Sequence, residues 1–134
     1  MSFEDERKAI ESRMQANWAT TPIQWENVPF AETQAIHVKF AVVSGEGSQA
    51  SLGDSPRYRW PGLISIKIMA PENTGTVVAM QYADSIGTIF RRQAFAAGAN
   101  GRIICGTPSV IIGGIDKGWY QVLVLTPFSR DKVF

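Results

Sequence analysis

The chain has 134 residues, of which 45% are hydrophobic, and its thirteen basic and twelve acidic residues give a net charge of +1. This length and composition are typical of one globular domain, residues 1–134, and exclude a disordered chain. The near-neutral charge argues against a protein whose main task is coating nucleic acid or an anionic membrane, and the single cysteine excludes an intramolecular disulfide and a cysteine-based zinc site.

The first predicted element is a helix over residues 3–19. Ser2 can cap its N-terminus, and residues 4–6 are all acidic, which is favourable beside the positive end of the helix dipole. Because this N-terminus lacks the apolar segment of a signal peptide, we expect the protein to be made and kept in a cytoplasm. The helix carries a narrow apolar stripe that can cover one side of a sheet: Phe3, Ile10, Met14 and Trp18.

Extended chain is predicted after this helix. Residues 20–30 contain two prolines and predict an irregular segment that Trp25 and Phe30 pin to the core. Residues 34–44 alternate in the manner of a strand that is covered on one face. Residues 45–56 are rich in glycine and serine, so they predict a long, flexible hairpin loop.

The most strongly signalled element is a helix over residues 76–96, which we expect to be long and central. Asn73 or Thr74 can cap its N-terminus with a side-chain oxygen. Arg91 and Arg92 suit the negative end of its dipole. One face of the helix, about 120° wide, is apolar and consists of Val78, Ala79, Tyr82, Ile86, Ile89 and Phe90.

Three further strands are predicted around this helix. Residues 57–70 form the strand before it, and Pro61 inside that strand indicates a bulge or a sheet edge. Residues 101–113 form one strand that is broken near Pro108, and the glycine-rich residues 113–118 form a hairpin turn. The chain then closes with a strand over residues 119–126, an end at Pro127 and Phe128, and a short tail over residues 129–134.

The order of predicted elements is therefore helix, strand, strand, helix, strand, strand. It indicates an α+β fold with a mostly antiparallel sheet of two hairpins, and with one long central helix and an N-terminal helix packed on it. Each large apolar side chain that the long helix buries contributes about 1.5–3 kcal/mol before entropy is subtracted. We therefore expect the contact between helix and sheet to dominate stability.

No catalytic motif is recognisable in the sequence. His37 is the only histidine, so a nucleophilic site would have to pair it with Cys105, but the two lie in different predicted strands and outside any motif. We expect His37 to be an ordinary strand residue and Cys105 to be a buried thiol. Scattered acidic residues and the lack of a cofactor-binding glycine pattern predict no catalytic residue, no metal and no cofactor. A small enzyme using Cys105 or a carboxylate pair stays an alternative.

By elimination, the sequence favours an interaction module. Trp, Tyr and Arg are enriched at binding hot spots, and several of them lie near the predicted loop ends. Core or edge packing explains the aromatic residues equally well, and solvated surface charge is the favoured explanation of the arginines. The candidate interface residues are Ser48, Gln49, Leu52 and Asp54 in the loop, Arg57, Tyr58 and Trp60 in the next strand, and Asp84, Arg91 and Arg92 on the polar face of the long helix.

Residues 18–30, with the sequence WATTPIQWENVPF, resemble the N-terminal signature of the phage tail terminator-like family, small proteins of tailed phages and prophages. Further pieces of sequence agree in order and spacing, so the resemblance spans nearly the whole chain. These pieces are Leu52–Gly53, Gly62, Pro71 with Gly75, Ala83–Asp84, Phe90, Gly118–Val122 and Pro127–Phe128.

The resemblance implies structural work without substrate, metal or cofactor. Tail terminators of the lambda-like class are α+β proteins that cap the growing tail tube as a ring, typically hexameric, and present a surface to the head–tail connector. The implied partners are further copies of the chain, the major tail tube protein and the connector, with no specific binding of nucleic acid or membrane. The implied location is the virion tail, after a stage in the host cytoplasm. A neck or head-completion protein and a cytoplasmic binding domain outside the virion are the alternatives.

Overall fold

A computed structural model describes residues 2–19, 21–25, 36–45, 48–49, 57–71, 76–97 and 101–133. These residues form two helices and one eight-stranded sheet. In chain order the elements are α1 (Ser2–Asn17), β1 (Ile23–Gln24), β2 (His37–Ser44), β3 (Ser48–Gln49), β4 (Arg57–Pro71), α2 (Val77–Phe90), β5 (Ala94–Ala96), β6 (Gly101–Cys105), β7 (Ser109–Asp116) and β8 (Trp119–Val133).

The sheet is mixed, and two long strands form its centre. Its main order is β1-β2-β4-β8-β6-β5, with β3 also paired to β4 and β7 also paired to β8. β1 runs parallel to β2, whereas the other described pairs are antiparallel. The α+β class is confirmed. The expectation of two separate hairpins is wrong, because β4 pairs with β8 over fifteen residues, from Arg57↔Val133 to Pro71↔Trp119.

Both helices pack on one face of the sheet. Their buried apolar side chains and those of the sheet form a single core. Opposite residues of antiparallel strands point to the same face, and one such row consists of Phe40, Ile66 and Val124. All three are at most 2% exposed. The helices supply Ile10, Met14, Ile86 and Phe90 to this core, each 0% exposed.

The helix predicted over residues 76–96 is neither long nor central. α2 ends at Phe90 and is shorter than α1. Arg92 has a φ of 51°, which turns the chain, and residues 94–96 then pair with β6 as strand β5. The alanines at 94, 96 and 97 favour a helix locally, but the pairing with β6 overrides that propensity.

The predicted apolar face of α2 is correct for most of its members. Val78 is the exception, because it is 42% exposed, and Tyr82 is half-buried with its ring centroid 5.4 Å from that of Trp18 in an edge-on arrangement. The caps proposed at Asn73 and Thr74 lie outside the described residues, and Thr76 occupies the N-cap without a side-chain hydrogen bond. The residues of α2 that are buried are Ala79, Ala83, Ile86, Gly87, Ile89 and Phe90.

The last strand does not end at Pro127, because β8 continues to Val133 and includes the predicted tail. Proline lacks an N–H and is tolerated in a sheet only where no partner strand needs that donor. Pro127 meets this condition, since β7 pairs with β8 up to Leu125 and β6 pairs with it from Phe128. In that gap the Gly106 N–H donates to the Pro127 carbonyl at 2.8 Å.

Pro61 in β4 obeys the same rule. The strand β3 pairs with β4 at residues 58 and 59, β2 pairs with it from Gly62 onward, and Pro61 lies in the gap between them. The Gly45 N–H donates to the Pro61 carbonyl at 2.6 Å. Each long strand thus runs through a proline because the strands along one of its edges are interrupted there. The sequence-based indication of a break near Pro108 is confirmed by the separate strands β6 and β7.

We expect Ile86→Asp to abolish soluble folding, because it places a carboxylate without a partner at a position that is 0% exposed. Val78→Asp is the matched control, since the same change at a 42% exposed position should alter the free energy of unfolding by only about 0.5 kcal/mol. Circular dichroism melting of the soluble fraction measures both. An unshifted melting temperature for Ile86→Asp would show that this assignment of the buried face is wrong.

Candidate interaction surface

The structure brings half of the candidate interface residues together at one end of the sheet. β3 places Ser48 opposite Arg59 and Gln49 opposite Tyr58 of β4. Five candidates therefore share the region where β3 and β4 meet, which we call the β3–β4 end: Ser48, Gln49, Arg57, Tyr58 and Trp60. Leu52 and Asp54 lie outside the described residues.

Two aromatic rings dominate the β3–β4 end. Tyr58 and Trp60 are two residues apart on one strand, so they point to the same face of the sheet. Their ring centroids are 6.2 Å apart, and both side chains are half-buried. Tyrosine and tryptophan held in this way present contact area at a low cost in conformational entropy.

The Trp60 ring packs against a buried ion pair between Glu6 and Arg130. The Arg130 guanidinium lies 4.2 Å from the Trp60 ring centroid, which is a cation–π arrangement. Arg130 Nε donates to Glu6 Oε1 at 3.1 Å, and the two charged side chains are 1% and 2% exposed. Ser44 Oγ donates to Glu6 Oε2 at 2.5 Å. The cluster of Glu6, Ser44, Trp60 and Arg130 thus joins α1 to β2, β4 and β8.

Sequence reasoning missed this cluster. From the sequence, Glu6 belongs to an acidic first helical turn and Arg130 to a tail beyond the last predicted strand. The alternation along β8 could have revealed it. Every second residue of this strand is buried, namely Val122, Val124, Thr126, Phe128 and Arg130. Continuing that period past Pro127 would have placed Arg130 on the inner face.

The opposite face of the same strands carries a second ion pair. Arg59 donates two hydrogen bonds to Asp131, from Nε to Oδ1 at 2.8 Å and from Nη2 to Oδ2 at 3.0 Å. The hydrogen bond and the charge of Asp131 raise the pKa of Arg59 above its usual value. Arg102 lies opposite Asp131 on β6. The Arg59 side chain is half-exposed, so the ion pair adds little to the free energy of unfolding. Its main effect is to hold the Arg59 side chain in place.

The other three candidates lie on a different element. Asp84 is exposed on α2, and Arg91 and Arg92 are exposed just after its last residue. The Arg92 N–H donates to the Gly106 carbonyl at 3.1 Å, which fixes the backbone at this end of the helix. The ten candidates therefore do not form one patch in the part of the chain that the structure describes.

Comparison with known proteins identifies the family. A sequence model of the phage tail terminator protein family matches residues 7–128. The chain belongs to the phage tail terminator protein family. This match confirms the resemblance carried by residues 18–30 and assigns a structural role in the phage tail.

The fold also recurs among solved structures. One of them covers 100% of this chain and 96% of its own chain, with a TM-score of 0.68 and 20% sequence identity. At that identity the likeness shows the fold alone. No curated protein matches the sequence significantly.

His37 and Cys105 are both buried in this tail terminator. His37 is 6% exposed in β2, and its ring packs edge-on against Trp119 at 5.0 Å. Cys105 is 3% exposed in β6, as predicted for a buried thiol. Within the described ranges, no cluster of three or more metal-ligating side chains occurs, and neither helix has the length and apolar character needed to cross a membrane.

We expect Glu6→Ala to lower the free energy of unfolding by about 3–5 kcal/mol, because it leaves the Arg130 charge buried without its carboxylate. The double variant Glu6→Leu, Arg130→Met should recover most of this loss, since it removes both charges and keeps the volume. Urea unfolding gives the three free energies. A loss below about 1 kcal/mol for Glu6→Ala would mean that the pair is solvated in solution.

Burial raises the pKa of the Cys105 thiol to about 11. The folded state therefore favours the protonated thiol, and the stability this contributes is present below the unfolded pKa and lost as pH rises toward 11. We expect unfolding free energy to fall more steeply between pH 9 and 11 in the wild type than in Cys105→Ala. Equal slopes, or rapid labelling of the native thiol at pH 8, would contradict the buried placement.

Proposed function

We propose that this tail terminator caps the tail tube as a ring of its own copies, hexameric on the tube. In this role it ends polymerisation of the major tail tube protein and forms the interface to the head–tail connector. The observation that carries the proposal is the family match over residues 7–128. The protein would pass from the host cytoplasm into the virion tail and need no cofactor.

The β3–β4 end is the surface that we assign to the tube. Its aromatic pair rests on a buried ion pair, so the Trp60 ring is held in place before a partner binds. A surface that is already ordered loses less entropy on binding. Leu52 and Asp54 belong to the same proposed contact by their position in the chain between β3 and β4.

The polar side of α2 is the surface that we assign to the neighbouring subunit. A cyclic ring repeats a contact between two different patches, so each subunit needs complementary groups in separate places. Asp84 is acidic, whereas Arg91 and Arg92 are basic, and all three are exposed. Asp84 on α2 and the two arginines just after it thus offer charges of opposite sign in separate places, as a contact between different patches requires.

A channel for DNA is compatible with the charge of the chain. With a net charge of +1, each subunit adds little attraction for phosphates. DNA that must pass through a ring needs weak contact with its wall rather than binding. The proposal therefore includes no specific nucleic-acid site.

Deletion of residues 48–55 should leave the fold intact and abolish tail capping. The ladder from His37↔Met69 to Ser44↔Gly62 remains in this variant, so the sheet keeps its register. Tail lengths in an assembly extract, measured by electron microscopy, should become long and variable. Lys8→Ala, at an exposed position of α1, is the control that should cap normally.

Two results separate the proposal from its competitors. Tails of normal length with the deletion variant, while circular dichroism shows an intact fold, would contradict the assigned tube surface. Binding to the connector without any effect of the wild-type protein on tube length would indicate a neck protein instead.

A further inference from the structure

β7 is a long strand with one free edge. Among the described strands it pairs with β8 alone. It pairs with β8 from Ser109↔Leu125 to Asp116↔Trp119, and β8 uses its other edge for β4. No described strand pairs with the outer edge of β7. A row of backbone N–H and C=O groups therefore faces outward, which is the template on which a further strand can add.

The side chains of β7 are apolar on both faces of the sheet. Val110, Ile111, Ile112 and Ile115 are 41%, 48%, 59% and 61% exposed. Successive strand residues point to opposite faces, so an added strand would find apolar side chains above and below it. Residues 109–112, which precede the bulge of β7, contain no charge and no proline, two of the features that commonly keep edge strands apart.

The other described edges are short, or are partly covered as in β2, where β1 pairs with Val38 and Lys39. β1 and β3 have two residues each, and β5 has three. On the edge of β2, Arg7 Nη2 donates to the Val42 carbonyl at 3.2 Å. With eight residues, β7 is therefore the longest described edge along which no other described strand pairs.

The hairpin presents β7 as a preformed strand. Lys117 and Gly118 have φ values of 52° and 83°, the left-handed conformations that a tight two-residue hairpin turn requires. The register shift between Ile112 and Gly114 lies beyond the run Ser109–Ile112. An extended strand is therefore the kind of partner that fits this edge.

We propose that a second copy of this chain occupies the edge, with the two β7 strands antiparallel about a two-fold axis at Ile111. Residues Val110–Ile112 are all β-branched and lie before the bulge at Gly113, and a small residue flanks them on each side, so the sequence reads alike in both directions. With this register Val110 of each copy lies opposite Ile112 of the other, and Ile111 lies opposite itself. Cross-strand pairs of β-branched residues stabilise sheets, and no like charges meet.

This pair goes beyond the proposed ring. A two-fold contact uses the same patch on both copies, whereas a cyclic ring uses two different patches. The pair is therefore a state of the free protein that covers the apolar edge before assembly. Loss of the pair and loss of tail capping are independent outcomes.

Cysteine cross-linking tests the register, in a Cys105→Ala background. Ile111→Cys should form a disulfide-linked dimer under mild oxidation, because directly opposite Cβ atoms are about 4.5–5.5 Å apart. Ser109→Cys is the matched control in the same strand. Its two copies lie four residue positions apart, roughly 13 Å, and should not cross-link. Equal cross-linking at the two positions, or none at Ile111→Cys, would overturn the proposed pair.

The mass of the protein in solution tests the pair without oxidation. Light scattering should give a dimer for the wild type and a monomer for Ile111→Lys, with an unchanged circular dichroism spectrum. Val43→Lys, at a 57% exposed position of β2, should stay dimeric. A wild-type monomer at all concentrations, or a dimer that survives Ile111→Lys, would overturn the proposal.

Discussion

The fifteen-residue pairing of β4 with β8 positions the other elements of this tail terminator. One edge of the pair holds β2 and β3, and the other holds β6 and β7. Its inner face supplies the largest share of the apolar core that both helices cover. The two strands stay continuous through Pro61 and Pro127 because the flanking strands are interrupted at those residues. The candidate tube surface lies at one end of this pair, and the open edge of β7 lies along its other half.

The buried pair of Glu6 and Arg130 connects α1 to that ladder. A hydrophobic contact between α1 and the sheet would tolerate several positions of the helix, whereas two buried charges tolerate one, since separation leaves each without its partner. Arg130 also supports the ring of Trp60. The same interaction therefore fixes both a helix and an aromatic side chain of the candidate surface on the inner face of the sheet.

The sequence was sufficient where the structure follows from local signals. The strand at β2, the buried thiol of Cys105 and the break near Pro108 follow from period and composition, whereas the hairpin turn predicted over residues 113–118 is confined to Lys117–Gly118 because residues 113–116 belong to β7. The end of α2, the strand β5 and the extension of β8 depend on pairing with distant residues, which no local pattern encodes. Gln49 and Tyr58 were recognisable as candidates from the sequence. Their position side by side depends on the pairing of β3 with β4, which no local pattern encodes. The family came from an ordered set of short motifs rather than from any site chemistry.

The central claim is that this protein stops the tail tube by occupying its end. Electron microscopy of tubes assembled from tail tube protein, with and without the chain, tests that claim most directly. We expect shorter tubes that carry a ring of this protein at one end. Tubes of unchanged length, or protein bound along their sides rather than at the end, would contradict it.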